Sequence, residues 1–298
     1  MIIMGINFIS IIIPTFNDWS RLRFCLDALS SQRYPSSLFE VIVVNNNPAD
    51  DVPEGFANYH NVIILKEDKA GSYAARNKAL EIAKGDVVGF TDSDTIPDSE
   101  WIRNAVAYFN ANPGIFRIAG RIKLFYLSES PTSIELYDTL FAFRQKHYAE
   151  DLGFGVTANM FTYKRLFNEI GPFKSDLLSG GDFEWGRRAN SKGYPIHYVE
   201  SAFVMHPARN SYSELKRKIK RISGGHLLMK SDANRLDKHV YQLLKGLKPS
   251  LIDLTLIYRS TEISRIEKIV VFGIRYHLNI LSNLEKIKIL LGHKPERR

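Results

Sequence analysis

The chain has 298 residues, 45% apolar and 24% charged, with 40 Lys and Arg against 32 Asp and Glu for a formal charge of +8. That composition is globular and excludes intrinsic disorder and collagen-like repeats; a lone cysteine, Cys25, excludes an internal disulfide, a multi-cysteine zinc site and an iron–sulfur cluster, and suits a reducing compartment. The charge is uneven, because residues 1–199 hold 20 basic and 23 acidic side chains (net −3) while 200–298 hold 20 and 9 (net +11).

Short apolar runs alternate with helical patterns over the first 120 residues. Phe8 to Ile13 reads as a strand, Trp19 to Gln32 as a helix, and Glu40 to Val44 and Val62 to Leu65 as strands. Ser72 to Ala83 follows as a helix capped by Ser72, then Val87 to Thr91 as a strand and Trp101 to Phe109 as a helix. Strands that are apolar on successive positions suit burial on both faces, which predicts an α/β fold with a mostly parallel sheet covered by helices. From there to Gly225 the pattern is mixed: a strand near Ile118 to Phe125, a helix after Pro131, a short segment Val156 to Met160 and a helix near Asp182 to Asn190.

Beyond Ser211 the pattern is helical and basic. The expected organisation is a domain over 1–225, with a nucleotide-binding half (1–120) and an acceptor and catalytic half (121–225), then a basic helical extension over 226–298 that begins at Gly224-Gly225. Met1 to Ile13 is apolar but lacks the basic region and cleavage site of a signal peptide. No window reaches the roughly 18 uninterrupted apolar residues of a membrane span; Ile269 to Leu281 is broken by Arg275 and His277. A soluble or peripheral chain is expected.

In an open α/β sheet, ligands bind beyond the carboxyl ends of the strands. Three polar segments fall there: Pro14-Thr15-Phe16-Asn17, Asn45-Asn46-Asn47 and Asp92-Ser93-Asp94. An aromatic ring and amides can hold a base, and two carboxylates a divalent cation, so together they describe a nucleotide-diphosphate site. If the strand continues through Asp92 and Asp94, both carboxylates project from one face and can share Mg²⁺ or Mn²⁺. The alternative makes Thr91 to Asp94 a turn ahead of a helix capped by Asp98 or Ser99. Arg76, one turn into the helix that Gly71 opens, could reach a phosphate or sugar hydroxyl at the same edge.

A second constellation is Ser179-Gly180-Gly181-Asp182-Phe183-Glu184-Trp185-Gly186-Arg187-Arg188. Two glycines let backbone approach a ligand, and Asp182 sits at a helix start where the dipole keeps a carboxylate ionised, as a general base requires. Trp185, about one turn later, offers a platform for a sugar ring on the acceptor side. Glu184 adjoins it and is spaced to pair with Arg188 at i,i+4. His206 ends a strand-like run and is either a hydrogen-bonded structural residue or a metal ligand. Cys25, on an amphipathic helix, reads as core packing.

These segments, in this order over about residues 8 to 225, resemble the family 2 glycosyltransferases of the GT-A fold. The resemblance rests on Ile11-Ile12-Ile13-Pro14-Thr15-Phe16-Asn17, Phe39-Glu40-Val41-Ile42-Val43-Val44, Ala75-Arg76-Asn77, Asp92-Ser93-Asp94 and Gly181-Asp182 through Arg188. It implies an inverting transfer from a nucleotide-diphosphate sugar, UDP first, to a hydroxyl of a glycan or lipid-linked acceptor, in bacterial-type surface-polysaccharide assembly. By the same resemblance Asp92 and Asp94 bind metal and diphosphate, with Ser93 in the donor site. His206 completes the metal site, and Asp182 takes the acceptor proton. Two departures stand out. Asn45-Asn46 replaces the usual Asp-Asp, so that Asn46 could accept the uracil N3 proton or donate to cytosine N3, and Gly181-Asp182 replaces Glu-Asp.

Two other readings compete: a nucleotidyltransferase, which would release pyrophosphate, and a non-catalytic membrane-associated sugar-binding protein on the same fold. No zinc, ribonucleoprotein or helix-turn-helix motif supports nucleic-acid binding. Residues 214–230 combine a basic side with Leu215, Ile219, Ile222, Leu227 and Leu228, and 266–291 mix aliphatic and basic side chains. Such helices favour anionic membrane surfaces, which predicts peripheral attachment at the cytoplasmic face of the cell membrane.

Overall fold

The computed structural model describes residues 6, 8–177, 179–228 and 248–293, the side chains of 57 and 226–228 excepted. They form two compact units: the described parts of 1–123, 143–177 and 181–206, and those of 124–142, 178–180 and 207–298.

The first unit is built on the expected alternation. Strands β1 (Ile9–Thr15), β2 (Phe39–Asn45), β3 (Val62–Lys66) and β4 (Val87–Thr91) are separated by helices α1 (Trp19–Ser30) and α2 (Ser72–Ile82). After them in the chain come β5 (Ile96–Pro97), α3 (Trp101–Ala111), β6 (Arg117–Phe125), α4 (Ser133–Phe141), α5 (Gln145–Glu150), β7 (Asn159–Tyr163), α6 (Arg165–Ile170), α7 (Gly181–Ser191) and β8 (His197–Pro207), of which α4 and the last residues of β6 and β8 belong to the second unit. The sheet order is β3-β2-β1-β4-β7-β6-β8-β5. The parallel half is β3, β2, β1 and β4; β7 runs antiparallel to both β4 and β6, and β5 antiparallel to β8. The first two strands are apolar on both faces because α1 and α3 cover one side and α2 the other, leaving Ile11, Ile12, Ile13, Val43 and Val44 without solvent contact. Cys25 lies in this core, and burial pushes its thiol up to about 12.

Two buried polar side chains tie the core together. Glu40 accepts from the Ser10 hydroxyl (2.7 Å) and the Lys84 amide (2.7 Å), tying β1 and β2 to the turn before β4. Asn159 holds the antiparallel half together: its Oδ1 accepts from Trp101 Nε1 (2.9 Å), and its Nδ2 donates to the carbonyls of Arg121 (2.8 Å) and Ala202 (3.0 Å). Gly120 has no room for a side chain, since a Cβ there would lie 2.0 Å from the Ala202 oxygen.

The second unit is mainly helical: α4, α8 (Tyr212–Leu228), α9 (Leu251–Arg259) and α10 (Arg265–Leu290). Its core joins Leu136 and Tyr137 of α4, Leu215 of α8, Ile257 of α9, and Val271 and Leu278 of α10, with Ile219 packed against them. Two expectations are corrected here. Gly224 and Gly225 do not break the chain but lie inside α8, where a Cβ on Gly225 would sit 2.4 Å from the Ser179 carbonyl oxygen. The units divide at other points, and residues 229–247 of the expected extension lie outside the described residues.

Secondly, the apolar side of the 214–230 run is packed inside this unit through Leu215 and Ile219; the Leu227 and Leu228 side chains lie outside the described set. Part of the basic run is internal too. Asp138, 1% exposed, accepts from Arg209 Nη1 (3.0 Å) and pairs with Lys218 Nζ (3.5 Å). Burial, reinforced by Arg209, pulls Lys218 down to about 7 against the pull of Asp138.

Asn159→Ala would leave three buried polar groups without their partner and is expected to destabilise the first unit by about 3 kcal/mol or more, read as a lower urea midpoint. Asn159→Asp, which keeps the shape but loses the two donors, should also destabilise it.

Candidate active site

The carboxyl ends of β1, β2 and β4 deliver the three polar segments to one edge. Asn17 adopts a left-handed backbone (φ 52°), a conformation asparagine tolerates better than most residues. Its Oδ1 accepts from Asn47 Nδ2 (2.7 Å), joining the loops after β1 and β2. Thr15 is 2% exposed, and its hydroxyl oxygen has no hydrogen-bond partner. Pro14 and Phe16 are half-buried beside it. Asn46, expected to read the base, also has a structural role. Its Nδ2 donates to the carbonyls of Glu67 (3.0 Å) and Lys69 (2.8 Å), and its Oδ1 accepts from the Gly71 amide (2.7 Å), so the side chain clamps the loop before α2. Gly71 itself precedes α2 with φ 124°; Ser72 is the first helical residue and provides no cap.

The strand does not continue through Asp92 and Asp94. β4 ends at Thr91, and a turn follows, held by Thr95 Oγ1 donating to the Asp92 carbonyl (2.8 Å). The turn still gathers the acids. Ile96 of β5 pairs with Met205 of β8, which brings His206 beside Asp94 across 112 positions of sequence. One ligand atom from each of Asp92, Asp94 and His206 lies within 4.8 Å of the others, and His206 Nε2 is 3.3 Å from Asp94 Oδ1. Two carboxylates and an imidazole are a donor set suited to Mg²⁺ or Mn²⁺.

Residues not singled out from the sequence complete this edge. Asp18 Oδ2 accepts from Ser93 Oγ (3.1 Å), and its Oδ1 from Arg21 Nε (2.8 Å). Arg21 Nη1 also reaches Asp94 Oδ2 (3.4 Å). Both follow β1, so the rule that points to strand ends could have found them. Arg76 turns inward rather than out to solvent: it is 3% exposed, and its Nη2 donates to Asp92 Oδ1 at 2.6 Å.

The same α2 helix reaches the second constellation. Tyr73, one turn before Arg76, donates its hydroxyl hydrogen to Asp182 Oδ1 (3.2 Å), which also accepts from the Phe183 amide (2.9 Å). Gly181 makes room for this tyrosine, since a Cβ there would lie 2.7 Å from its ring; the space expected for a ligand holds Tyr73. Burial pushes the Asp182 carboxyl above the ordinary aspartate range, outweighing the Phe183 amide, the nearby Arg76 and the Tyr73 hydroxyl, which favour the charged form. Groups beyond the helix start thus set its ionisation: burial opposes the charged form, and Phe183, Arg76 and Tyr73 favour it.

Trp185 is no sugar platform. It is 0% exposed, donates Nε1–H to the Gly171 carbonyl (2.9 Å) and stacks on Phe167 at 4.6 Å, with Phe173 and Arg117 against it. Glu184 accepts twice from Arg188, at 2.9 and 3.0 Å, and pairs with Lys174, which is the i,i+4 role and not an acceptor contact. A different space adjoins the acid–histidine cluster. A cleft of about 490 Å³ is lined by Arg121, Phe143, Arg144, Gln145 and Lys146, among others. Phe143, strained at φ 49°, also packs its ring 4.6 Å from that of His206.

Residues 10–171, more than half of the chain, match the glycosyl transferase family 2 profile. The chain belongs to that family. It is 33% identical over 225 residues to the glycosyltransferase AglE of Haloferax volcanii, covering 74% of this chain and 73% of that protein. A Methanococcus voltae dolichyl N-acetyl-alpha-D-glucosaminyl phosphate 3-beta-D-2,3-diacetamido-2,3-dideoxy-beta-D-glucuronosyltransferase is 24% identical over 205 residues, 64% of each chain. The fold is GT-A, as in S. aureus TarS 1-349 solved in complex with UDP-GlcNAc (TM-score 0.54, 18% identity, 96% of this chain and 92% of that one). The mannosyltransferase PcManGT of Pyrobaculum calidifontis, solved with GDP-Man and Mn2+, gives a TM-score of 0.52 at 15% identity, over 99% of this chain and 77% of that one.

Because its folded pKa is raised, Asp182 contributes stability at low pH that is lost as pH rises through that value. Asp182→Asn removes this loss. The Tm difference between variant and wild type should shift in favour of the variant as pH rises from the aspartate range to neutral; a difference flat with pH would show that Asp182 titrates normally.

Proposed function

We propose that this glycosyltransferase moves a sugar, with inversion, from a nucleotide-diphosphate donor to a hydroxyl of a glycan or lipid-linked saccharide in cell-surface glycan assembly. The observation that carries the reading is Arg76: one buried guanidinium contacts Asp92 of the acid–histidine cluster and acts on Asp182 at the start of α7, so both constellations border one edge. The relatives solved with UDP-GlcNAc and GDP-Man support a nucleotide-sugar donor, and UDP is the first choice. Both Nδ2 donors of Asn46 are engaged with the 67–71 loop, which removes the cytosine reading, while its Oδ1, accepting only from the Gly71 amide, keeps a lone pair for the uracil N3 proton.

Asp94, Asp92 and His206 would hold a Mg²⁺ or Mn²⁺ ion, which when bound neutralises charge on the diphosphate. The chain's own residues do the rest. Thr15, with its unpartnered hydroxyl, and Phe16 line the donor side. Asp182 takes the proton of the acceptor hydroxyl as that oxygen bonds to C1 of the sugar and the bond from C1 to the diphosphate oxygen breaks. A raised pKa makes Asp182 the stronger base, and the Tyr73 hydroxyl fixes its orientation. Of the acceptor side, the cleft beside Phe143 replaces Trp185 and Glu184. The acceptor's setting is the cytoplasmic face of a membrane, to which the chain attaches peripherally; among the described residues no helix is long and apolar enough to cross one.

The test is release of nucleoside diphosphate from a panel of UDP- and GDP-sugars with lipid-phosphate and glycan acceptors. Asp182→Asn should lower kcat by about 10²–10⁴-fold with donor binding retained. Pyrophosphate as the product, or full turnover by the variant, would contradict the assignment.

A further inference from the structure

Helix α10 carries more apolar surface than its unit buries. Val271 and Leu278 face the core, but a separate stripe is left outside it: Ile266 (76% exposed), Ile269 (72%), Val270, Leu284, Ile287 and Leu291 (75%). The spacing is helical, i, i+3, i+4 and then continuing four turns later, so these side chains share one side of a 26-residue helix about 39 Å long. Gly273, about one turn beyond Val270, has open space where a side chain would stand. The preceding helix α9 exposes Leu251 (79%), Ile252 (73%) and Tyr258 (80%), and Lys268 of α10 lies over the Tyr258 ring and donates to its carbonyl, which ties the end of α9 to the first turn of α10. Scattered exposed apolar side chains are ordinary, but two apolar clusters on one side of a single helix mark an interaction surface.

The charge around the row identifies what covers it. Over 248–293 the cations Lys248, Arg259, Arg265, Lys268, Lys286 and Lys288 are exposed or half-exposed. Of the four acids there, Asp253 and Glu285 are buried, and Asp253 is paired with Arg275. Glu267 accepts from the Ser264 amide in the cap of α10, which leaves Glu262. A helix stripe of large aliphatics flanked by Arg265 and Lys288, in a segment whose exposed charge is mainly positive, suits the interface of an anionic bilayer, where apolar side chains enter the acyl boundary and cations meet the headgroups. We infer that the exposed side of α9 and α10 is a docking surface for anionic lipid, lying flat on the membrane rather than spanning it. This replaces the 214–230 face, whose apolar side is internal. The inference deepens the proposed membrane-borne acceptor by naming the surface, and its test uses no donor, so the two can fail separately.

The measurement is flotation of the full chain with vesicles of equimolar phosphatidylglycerol and phosphatidylcholine, against vesicles of phosphatidylcholine alone. Binding is expected to the anionic vesicles and to fall with added salt. Ile266→Ser with Ile269→Ser should weaken it roughly tenfold or more while leaving Tm unchanged, since neither side chain is packed. Arg265→Gln with Lys288→Gln should weaken it and flatten its salt dependence. No flotation by the wild type, or equal flotation by the serine variant, would overturn the inference. So would a concentration-dependent dimer in sedimentation that the serine variant abolishes, which would assign the row to a second copy of the chain.

Discussion

A buried guanidinium organises this active site. Arg76 has almost no contact with water, and a cation removed from water is tolerated only when a counter-charge is close. Asp92 supplies it at 2.6 Å, which fixes the turn after β4 against α2. The same positive charge lowers the cost of ionising Asp182, whose burial otherwise favours the neutral form. Removing Arg76 would therefore release one carboxylate of the acid–histidine cluster and make the other constellation a poorer anion. The two carboxylate sets, about ninety positions apart in sequence, answer to one helix.

The surrounding fold holds that helix in place. Asn77, next to Arg76, exchanges hydrogen bonds with both backbone groups of Phe173, at 2.8 and 3.0 Å. Phe173 belongs to an aromatic cluster with Tyr73, Phe90, Phe167 and Trp185 that underlies the start of α7. Trp185 thus serves the site through packing, by seating the turn of helix that carries Asp182. On the other side, a strand of only two residues, β5, sets the position of His206 by pairing with β8.

The sequence made much of the parallel half legible, because strands buried on both faces leave uninterrupted apolar runs and the ligand edge follows from strand direction. Asp92 and Asp94 stand out by residue type and His206 by the family resemblance, and the three are brought together. What stayed hidden depended on direction and distance. The sequence does not show that Arg76 is buried against Asp92, nor that Asn46 clamps the 67–71 loop. Gly181 reads as a close approach to a ligand and Gly225 as a boundary, yet the first meets a tyrosine ring and the second a carbonyl. Trp185 and the apolar side of α8 were assigned outward because periodicity marks a face without saying what covers it. Short helices α5 and α6 were absent from the reading for a related reason: six residues span fewer than two turns, too few to show a period.

The claim that Arg76, the acids and His206 form one donor site is tested most directly by calorimetric titration of UDP into wild type and Arg76→Met, each with and without Mn²⁺. The account predicts wild-type binding that requires the ion, and for Arg76→Met a clear loss of that metal-dependent affinity in a protein that remains folded. UDP binding of equal strength with and without Mn²⁺, unchanged in Arg76→Met, would contradict it.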